Sequence, residues 1–318
     1  MKIYILISII LAVLSFVYLK LAKKFKIFDK PNDRNAHTKI TVRGGGIIFP
    51  IAILLFFFLN NYQFPYFVLG VFLIAIVSFL DDIYTLSVKI RFPFQFIAVF
   101  LVLYQLGVPI SPIYLIVLFF IVGIGIINMF NFMDGINGIT GIYSLAVLSG
   151  LFLINHNEHL VQEDLILFLG ISLLVFGFYN FRKTALFFAG DIGSITLGVF
   201  IFFLGVLFTI KLSSPLMLLM VIVYGADTGC TFLYRKLYTN ENVFAPHKHH
   251  IYQKLVDVKK ISHLKVSVAY AVVQLLMNVV VYNTYQLNIQ TQVFILLATI
   301  AIFILLYILL FQKLKVRS

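Results

Sequence analysis

Five aspartates, Asp81, Asp82, Asp134, Asp191 and Asp227, stand at the ends of strongly apolar stretches or inside them. An ionised carboxylate so placed costs desolvation energy and normally has a functional partner. Helix termination or pairing with a neighbouring Lys or Arg would account for one such residue; five of them point to a shared site. Asp81 and Asp82 are adjacent, so on a helix they diverge by about 100°. One can then face a metal or a nucleophile while its neighbour orients a base. Around Asp134 the run Asn128-Met129-Phe130-Asn131-Phe132-Met133-Asp134-Gly135-Ile136-Asn137-Gly138 sets three Asn, one Asp and two Gly in an apolar background. The spacing of three between Asn131, Asp134 and Asn137 lines polar groups along one face if the stretch is helical. Asp191, in Gly190-Asp191-Ile192-Gly193-Ser194, immediately precedes an apolar run. An ordinary N-cap explains that position, and the same geometry lets a carboxylate beside free helix N–H groups hold Mg²⁺ and a phosphate together.

Basic and polar groups accompany these acids. Arg43 with Gly44, Gly45 and Gly46 suits a phosphate contact, and residues 29–37 form a loop dense in hydrogen-bonding groups. His247-Lys248-His249-His250 places three His and a Lys in four positions, with Asp227 and Arg235 bracketing the entry to that loop. Zinc is disfavoured because no Cys lies nearby and the remaining acids are hard oxygen ligands of the kind Mg²⁺ prefers. Anion binding or proton handling suits the cluster better. His156, Glu158, His159, Glu163 and Asp164 fall together in another connection and read as a solvated loop.

These residues must be positioned by helices. Of the 318 residues, 62% are hydrophobic and 11% charged, with a mean hydropathy of +1.05, a balance foreign to a water-soluble domain. Eleven continuously apolar stretches recur from residues 3–20 to 293–311, most of them long enough to cross a hydrocarbon layer of roughly 30 Å. Barrel strands would alternate in and out over about ten residues, and these runs do not. The first stretch lacks a small-residue cleavage site and is followed, not preceded, by its basic cluster, so it reads as a retained helix. Alternating eleven helices with the N-terminus outside leaves Lys2 and Lys211 on one side and 22 of the 24 Lys and Arg on the other. By the positive-inside rule the rich side is cytoplasmic and holds the C-terminus. The net charge of +12 is then a topology signal; no soluble stretch is long enough to present a nucleic-acid surface. A lone Cys230 excludes an internal disulfide. The expectation is an all-α polytopic integral membrane protein, one domain over 1–318, with active-site loops near 22–45, 81–93, 129–139, 180–193 and 235–264 on the cytoplasmic face.

In order, spacing and shared membrane side, the motifs from about Asp29 to Gln253 resemble the polyprenyl-phosphate N-acetylhexosamine-1-phosphate transferases of glycosyltransferase family 4. The ending His247-Lys248-His249-His250-Ile251-Tyr252-Gln253 looks most like the branch that starts O-antigen and capsule synthesis. The resemblance implies transfer of an N-acetylhexosamine 1-phosphate, or a deoxy derivative, from a UDP-sugar to polyprenyl (undecaprenyl) phosphate, with release of UMP. It implies Mg²⁺ as cofactor with Mn²⁺ as substitute, a bacterial inner-membrane location, no nucleic-acid partner, and an unsurprising homodimer. Carried over by residue, Asp191 with Asn131 would hold the metal. Asp81 would accept the lipid-phosphate proton or orient that phosphate, with Asp82 supporting the metal or the fold. Asn131, Asp134 and His247 join the catalytic set; Arg43, Asn137, Asn180, Phe188, His249 and His250 would bind substrate, Phe188 near the uracil and the His residues at the diphosphate. The chain departs from the family at Asn137, where Asp is common, and after Asn180, where a frequent proline is missing and one residue is added before Asp191. The alternatives are the transferase that starts peptidoglycan with phospho-N-acetylmuramoyl-pentapeptide and, from another class, an ion-coupled transporter. Transport would call for midplane charges and inverted repeats, whereas these acids cluster at one face.

Overall fold

The computed structural model of the chain describes residues 2–29, 40–239 and 247–314. Most of the polar loop 29–37 singled out above, from Lys30 onward, therefore lies outside the described residues. Helices dominate because a segment surrounded by hydrocarbon must satisfy its own backbone N–H and C=O groups. They are α1 (Lys2–Lys24), α2 (Ile48–Leu59), α3 (Pro65–Tyr84), α4 (Val88–Gln105), α5 (Ile113–Met133), α6 (Ile139–Glu158), α7 (Glu163–Asn180), α8 (Gly190–Leu212), α9 (Ile222–Tyr238), α10 (Ile251–Asp257), α11 (His263–Thr284) and α12 (Ile289–Lys313). Short 3-10 segments, Gly45–Ile47 and Pro215–Val221, lead into α2 and α9. Pro65 opens α3 and Pro112 immediately precedes α5; a fixed φ near −65° suits the start of a helix.

Among the described residues ten helices are long and apolar enough to cross a membrane, and Gly45–Leu59 is a shorter apolar helix. The all-α polytopic architecture expected from the sequence is thus present. Two small elements had no periodic signal: α10, seven residues inside the His-rich loop, and an antiparallel pair of two-residue strands, β1 (Phe28–Asp29) and β2 (Thr41–Val42). One local expectation is corrected. Helix α5 ends at Met133 and Asp134 is its C-cap, so Asn131, Asp134 and Asn137 do not share a helical face. Asp134 and Asn137 lie on the turn to α6.

The core is organised around α8, which packs against α2, α3, α4 and α5. Every residue from Gly190 to Leu204 is buried, as expected of a helix that is apolar all round. At its first turn α8 meets the start of the α2 segment, Gly46 against Gly193, so closely that a Cβ on Gly46 would strike the Gly193 backbone. By contrast α12 is scarcely buried along its apolar length, a surface suited to lipid.

Gly193→Ala should separate these two segments and destabilise the fold by about 1–3 kcal/mol, the usual cost of overpacking. A lower thermal midpoint in mild detergent checks it. Gly170→Ala, where an added methyl group meets nothing within 4 Å, is the control expected to leave the midpoint unchanged.

Candidate active site

The α3 end supplies the first layer of the site. Asp82 is buried, and its carboxylate accepts the backbone N–H groups of Asp191 (2.8 Å) and Ile192 (3.2 Å). It therefore caps α8 from a distant helix, a service that the local N-cap residue, Ala189, does not perform. Arg43 Nε pairs with the same carboxylate at 2.7 Å, and its second nitrogen reaches Asp191 Oδ1 at 2.9 Å. On the other side Arg91 Nη1 bridges Asp81 Oδ2 (2.7 Å) and Asp191 Oδ2 (2.9 Å). Asp191 thus sits between two guanidinium groups, each held in turn by one of the adjacent aspartates. Gly190, with φ +74°, gives the chain its entry into α8, and any Cβ there would collide with Asp82. The ordinary N-cap alternative for Asp191 does not hold: its backbone is the capped group, and its carboxylate lies at the cleft.

Helix α5 brings the amides. Gln95 of α4 and Asn128 of α5 exchange two side-chain hydrogen bonds (3.2 and 3.1 Å). This fixes α4 and α5 about one turn from Arg91 and Asn131. Asn131 Nδ2 donates to Ser194 Oγ at 3.3 Å on the first turn of α8. Beyond the turn, Asn180 ties two loops together: its Oδ1 accepts Gly138 N–H (2.7 Å) and its Nδ2 donates to Phe187 O (2.9 Å). The loop 181–189 also pairs with the Arg43 segment through Phe188 N to Val42 O, Gly45 N to Phe188 O and Gly46 N to Ala189 O.

The His-rich loop is anchored by Asp227, which does not line the cleft. Its buried carboxylate accepts Ile251 N (3.0 Å), Tyr252 N (3.4 Å), Thr231 Oγ1 (3.3 Å) and Tyr270 OH (2.7 Å), and meets His250 Nδ1 at 3.2 Å. Tyr252 OH then donates to Phe132 O at 3.1 Å, pinning α10 to the end of α5.

The result is a cleft of about 420 Å³ at one end of the bundle. Of the residues singled out in the sequence, Arg43, Asn131, Asp134, Asn137, Asn180, Phe188, Asp191 and His247 line it. Asp81 and Asp82 stand behind it, acting through Arg91 and through α8. His250 is corrected from a diphosphate contact to a buried partner of Asp227 that also caps α10. His249 is not a lining residue; its ring packs near His247 and Tyr234. Arg91, Ser194, Tyr252, Asp257 and His263 were not singled out. Arg91 lies nine residues after Asp82, beyond the end of α3 in Val88-Lys89-Ile90-Arg91-Phe92, and no local pattern marks it. Among the described residues no three or more His, Cys, Asp or Glu side chains converge as a metal cage. The oxygen donors of Asp191, Asn131 and Asp134 on one cleft are nevertheless hard donors, and Mg²⁺ is commonly held by one or two carboxylates together with substrate phosphates.

Fold and site together define a polytopic, all-helical membrane protein with an acid- and arginine-lined polar cleft at one end. Residues 64–209 match the model of glycosyl transferase family 4, a stretch that contains every site residue from Asp81 to Asp191. The chain is also 25% identical over 278 residues to a protein of Bacillus subtilis (strain 168) described as a probable undecaprenyl-phosphate N-acetylglucosaminyl 1-phosphate transferase. The alignment covers 80% of this chain and 76% of the relative. The two comparisons agree in direction: the middle of the chain is similar to glycosyl transferase family 4, and most of its length to a protein described as a sugar 1-phosphate transferase.

Asp134 carries a pH-dependent cost. Burial, with a further push from the Asp191 charge, raises its carboxyl from 3.8 to about 6. The folded chain then binds this proton more tightly than the unfolded chain, so the stability the group contributes is present below about pH 4 and is lost as pH rises through about 6. Asp134→Asn should therefore be more stable than the parent at pH 7.5, on the order of 1–2 kcal/mol after allowing for the open side of the cleft. The difference should vanish near pH 4. Paired denaturation curves in detergent at the two pH values check this.

Proposed function

We propose that the protein transfers an N-acetylhexosamine 1-phosphate, or that of a deoxy sugar, from a UDP-sugar to polyprenyl phosphate, releasing UMP and starting a lipid-linked surface glycan. The observation that carries it is Asp191 held between Arg43 and Arg91 at one wall of a polar cleft, facing amides, an aromatic ring and a His loop. Two guanidinium groups beside a carboxylate provide fixed donors for phosphate oxygens. Phe188 offers a face for a nucleobase, and His247 with Lys248 closes the opposite wall as donors to a diphosphate.

In the reaction an oxygen of the lipid phosphate bonds to the sugar-side phosphorus. The bond from that phosphorus to the bridging oxygen breaks, and the electron pair leaves on UMP. One phosphoanhydride replaces another, so the step lies near equilibrium. A phosphate monoester loses its second proton near pH 6, which makes a strong base unnecessary. Accordingly Asp81, whose carboxylate is engaged by Arg91 and by Leu86 N–H, orients Arg91 rather than attacking. That arrangement favours direct displacement over a covalent Asp81 intermediate. Mg²⁺, held by Asp191 and Asn131, would neutralise diphosphate charge as the displacement proceeds. The excess of Lys and Arg on the side of the site loops supports a cytoplasmic-facing cleft, and the Bacillus subtilis relative supports a bacterial cytoplasmic (inner) membrane.

Purified protein in detergent with Mg²⁺, undecaprenyl phosphate and a UDP-sugar panel should release UMP. The panel includes UDP-N-acetylglucosamine, its galacto and deoxy forms, and UDP-N-acetylmuramoyl-pentapeptide. Asp191→Ala should lower the rate roughly a thousandfold while the variant stays folded and monodisperse. Silence across the panel together with proton-coupled uptake in liposomes would replace this function with transport.

A further inference from the structure

Asn137 is where the chain departs from the aspartate common in the family, and the structure gives that amide a task a carboxylate could not perform. Its Nδ2 donates to the carbonyls of Arg182 (2.9 Å) and Lys183 (3.2 Å). Its own backbone is fixed as well, N–H to His263 Nδ1 at 3.4 Å and C=O from Ser267 Oγ at 2.9 Å. The residue is 5% exposed, so little water reaches it to replace a lost partner. Both acceptors are main-chain carbonyls, which fixes the orientation of the amide. An ionised aspartate in this rotamer would set an anionic oxygen against two carbonyl oxygens, with no donor between them.

The bonded carbonyls belong to the first limb of the 181–189 loop. The second limb, 187–189, is held separately by Val42, Gly45 and Gly46, and Asn180 holds Phe187. The Asn137 clip is therefore a side-chain bond joining the first limb to the turn that carries Asp134. Phe188 lines the cleft from the other limb of the same loop. We propose that Asn137 is a positioning residue: its amide clips the 181–189 loop to the cleft wall and so sets where Phe188 meets the donor nucleotide. The nucleotide part of this rests on the transferase function proposed above.

Two variants and two measurements test it. Arg182 and Lys183 are themselves tryptic sites, so limited trypsin digestion in detergent at pH 8 reports the clip without any substrate. Asn137→Asp should be cut there roughly tenfold faster than the parent, the factor expected when a buried hydrogen-bonded donor is lost. Asn137→Ala, which removes the donor without adding charge, should also be cut faster. In the UMP-release assay with UDP-N-acetylglucosamine, or whichever panel sugar the parent uses, both variants should raise donor KM several-fold and leave kcat within about twofold. Unchanged cleavage with a raised KM would make Asn137 a direct nucleotide contact and overturn the clip. Faster cleavage with unchanged KM would overturn the positioning role. Asn137→Asp matching or surpassing the parent in both measurements would overturn the whole inference. Should the parent release no UMP with any sugar, the transferase function fails, while the digestion still decides the clip.

Discussion

The buried carboxylate of Asp82 takes the first N–H groups of α8 and the guanidinium of Arg43, and the remainder of the cleft is built outward from that contact. A helix start leaves several N–H groups without partners, and at a helix buried as completely as α8 no solvent is present to supply them. Asp82 satisfies two of them and supplies negative charge at the positive end of the helix. Because the acceptor comes from α3, the start of α8 is locked to the end of α3. Arg43, drawn to the same carboxylate, brings the segment before α2 to the same point. Asp191 then projects from a fixed turn, with Arg91 as its second partner through Asp81. Five acidic and basic groups and a helix end are thereby mutually satisfied, which is the condition under which buried charge is tolerated.

Asp227 repeats the device at the other wall. It sits in α9, receives the first N–H groups of α10, and gathers hydroxyls from α9 and α11. Here the capped helix is short, and what it fixes is the direction of the His247 loop and the tether of Tyr252 to α5. Two of the five conspicuous aspartates thus hold helices that carry other functional groups. Asp191 and Asp134 are the ones with carboxylates facing the cleft, and Asp81 works through an arginine.

Between these two charged anchors the cleft is closed by amides. Asn180 and Asn137 each bond loop backbone, Asn180 donating and accepting at once, as an uncharged amide can. Gln95 and Asn128 do the same between helices. The distribution is physically consistent: carboxylates where several N–H or guanidinium donors converge, amides where carbonyls must be met.

By itself the sequence determined the solvent of the protein, its helical class and the clustering of its acids. Continuous apolar runs leave a backbone in hydrocarbon few other options, and charged residues there are too costly to be scattered. It also named eight residues of the cleft: Arg43, Asn131, Asp134, Asn137, Asn180, Phe188, Asp191 and His247 all line it. Only the tertiary structure decided the division of labour among them. Whether an aspartate caps a distant helix, orients an arginine or opens onto the cleft depends on which donors three-dimensional packing delivers to it. Those donors come from residues up to 148 positions away, as between Asp191 and Arg43. Local spacing carries no information about them, which is why Arg91 went unremarked, His250 was assigned to the substrate, and the amide of Asn137 looked like a substitution rather than a clip.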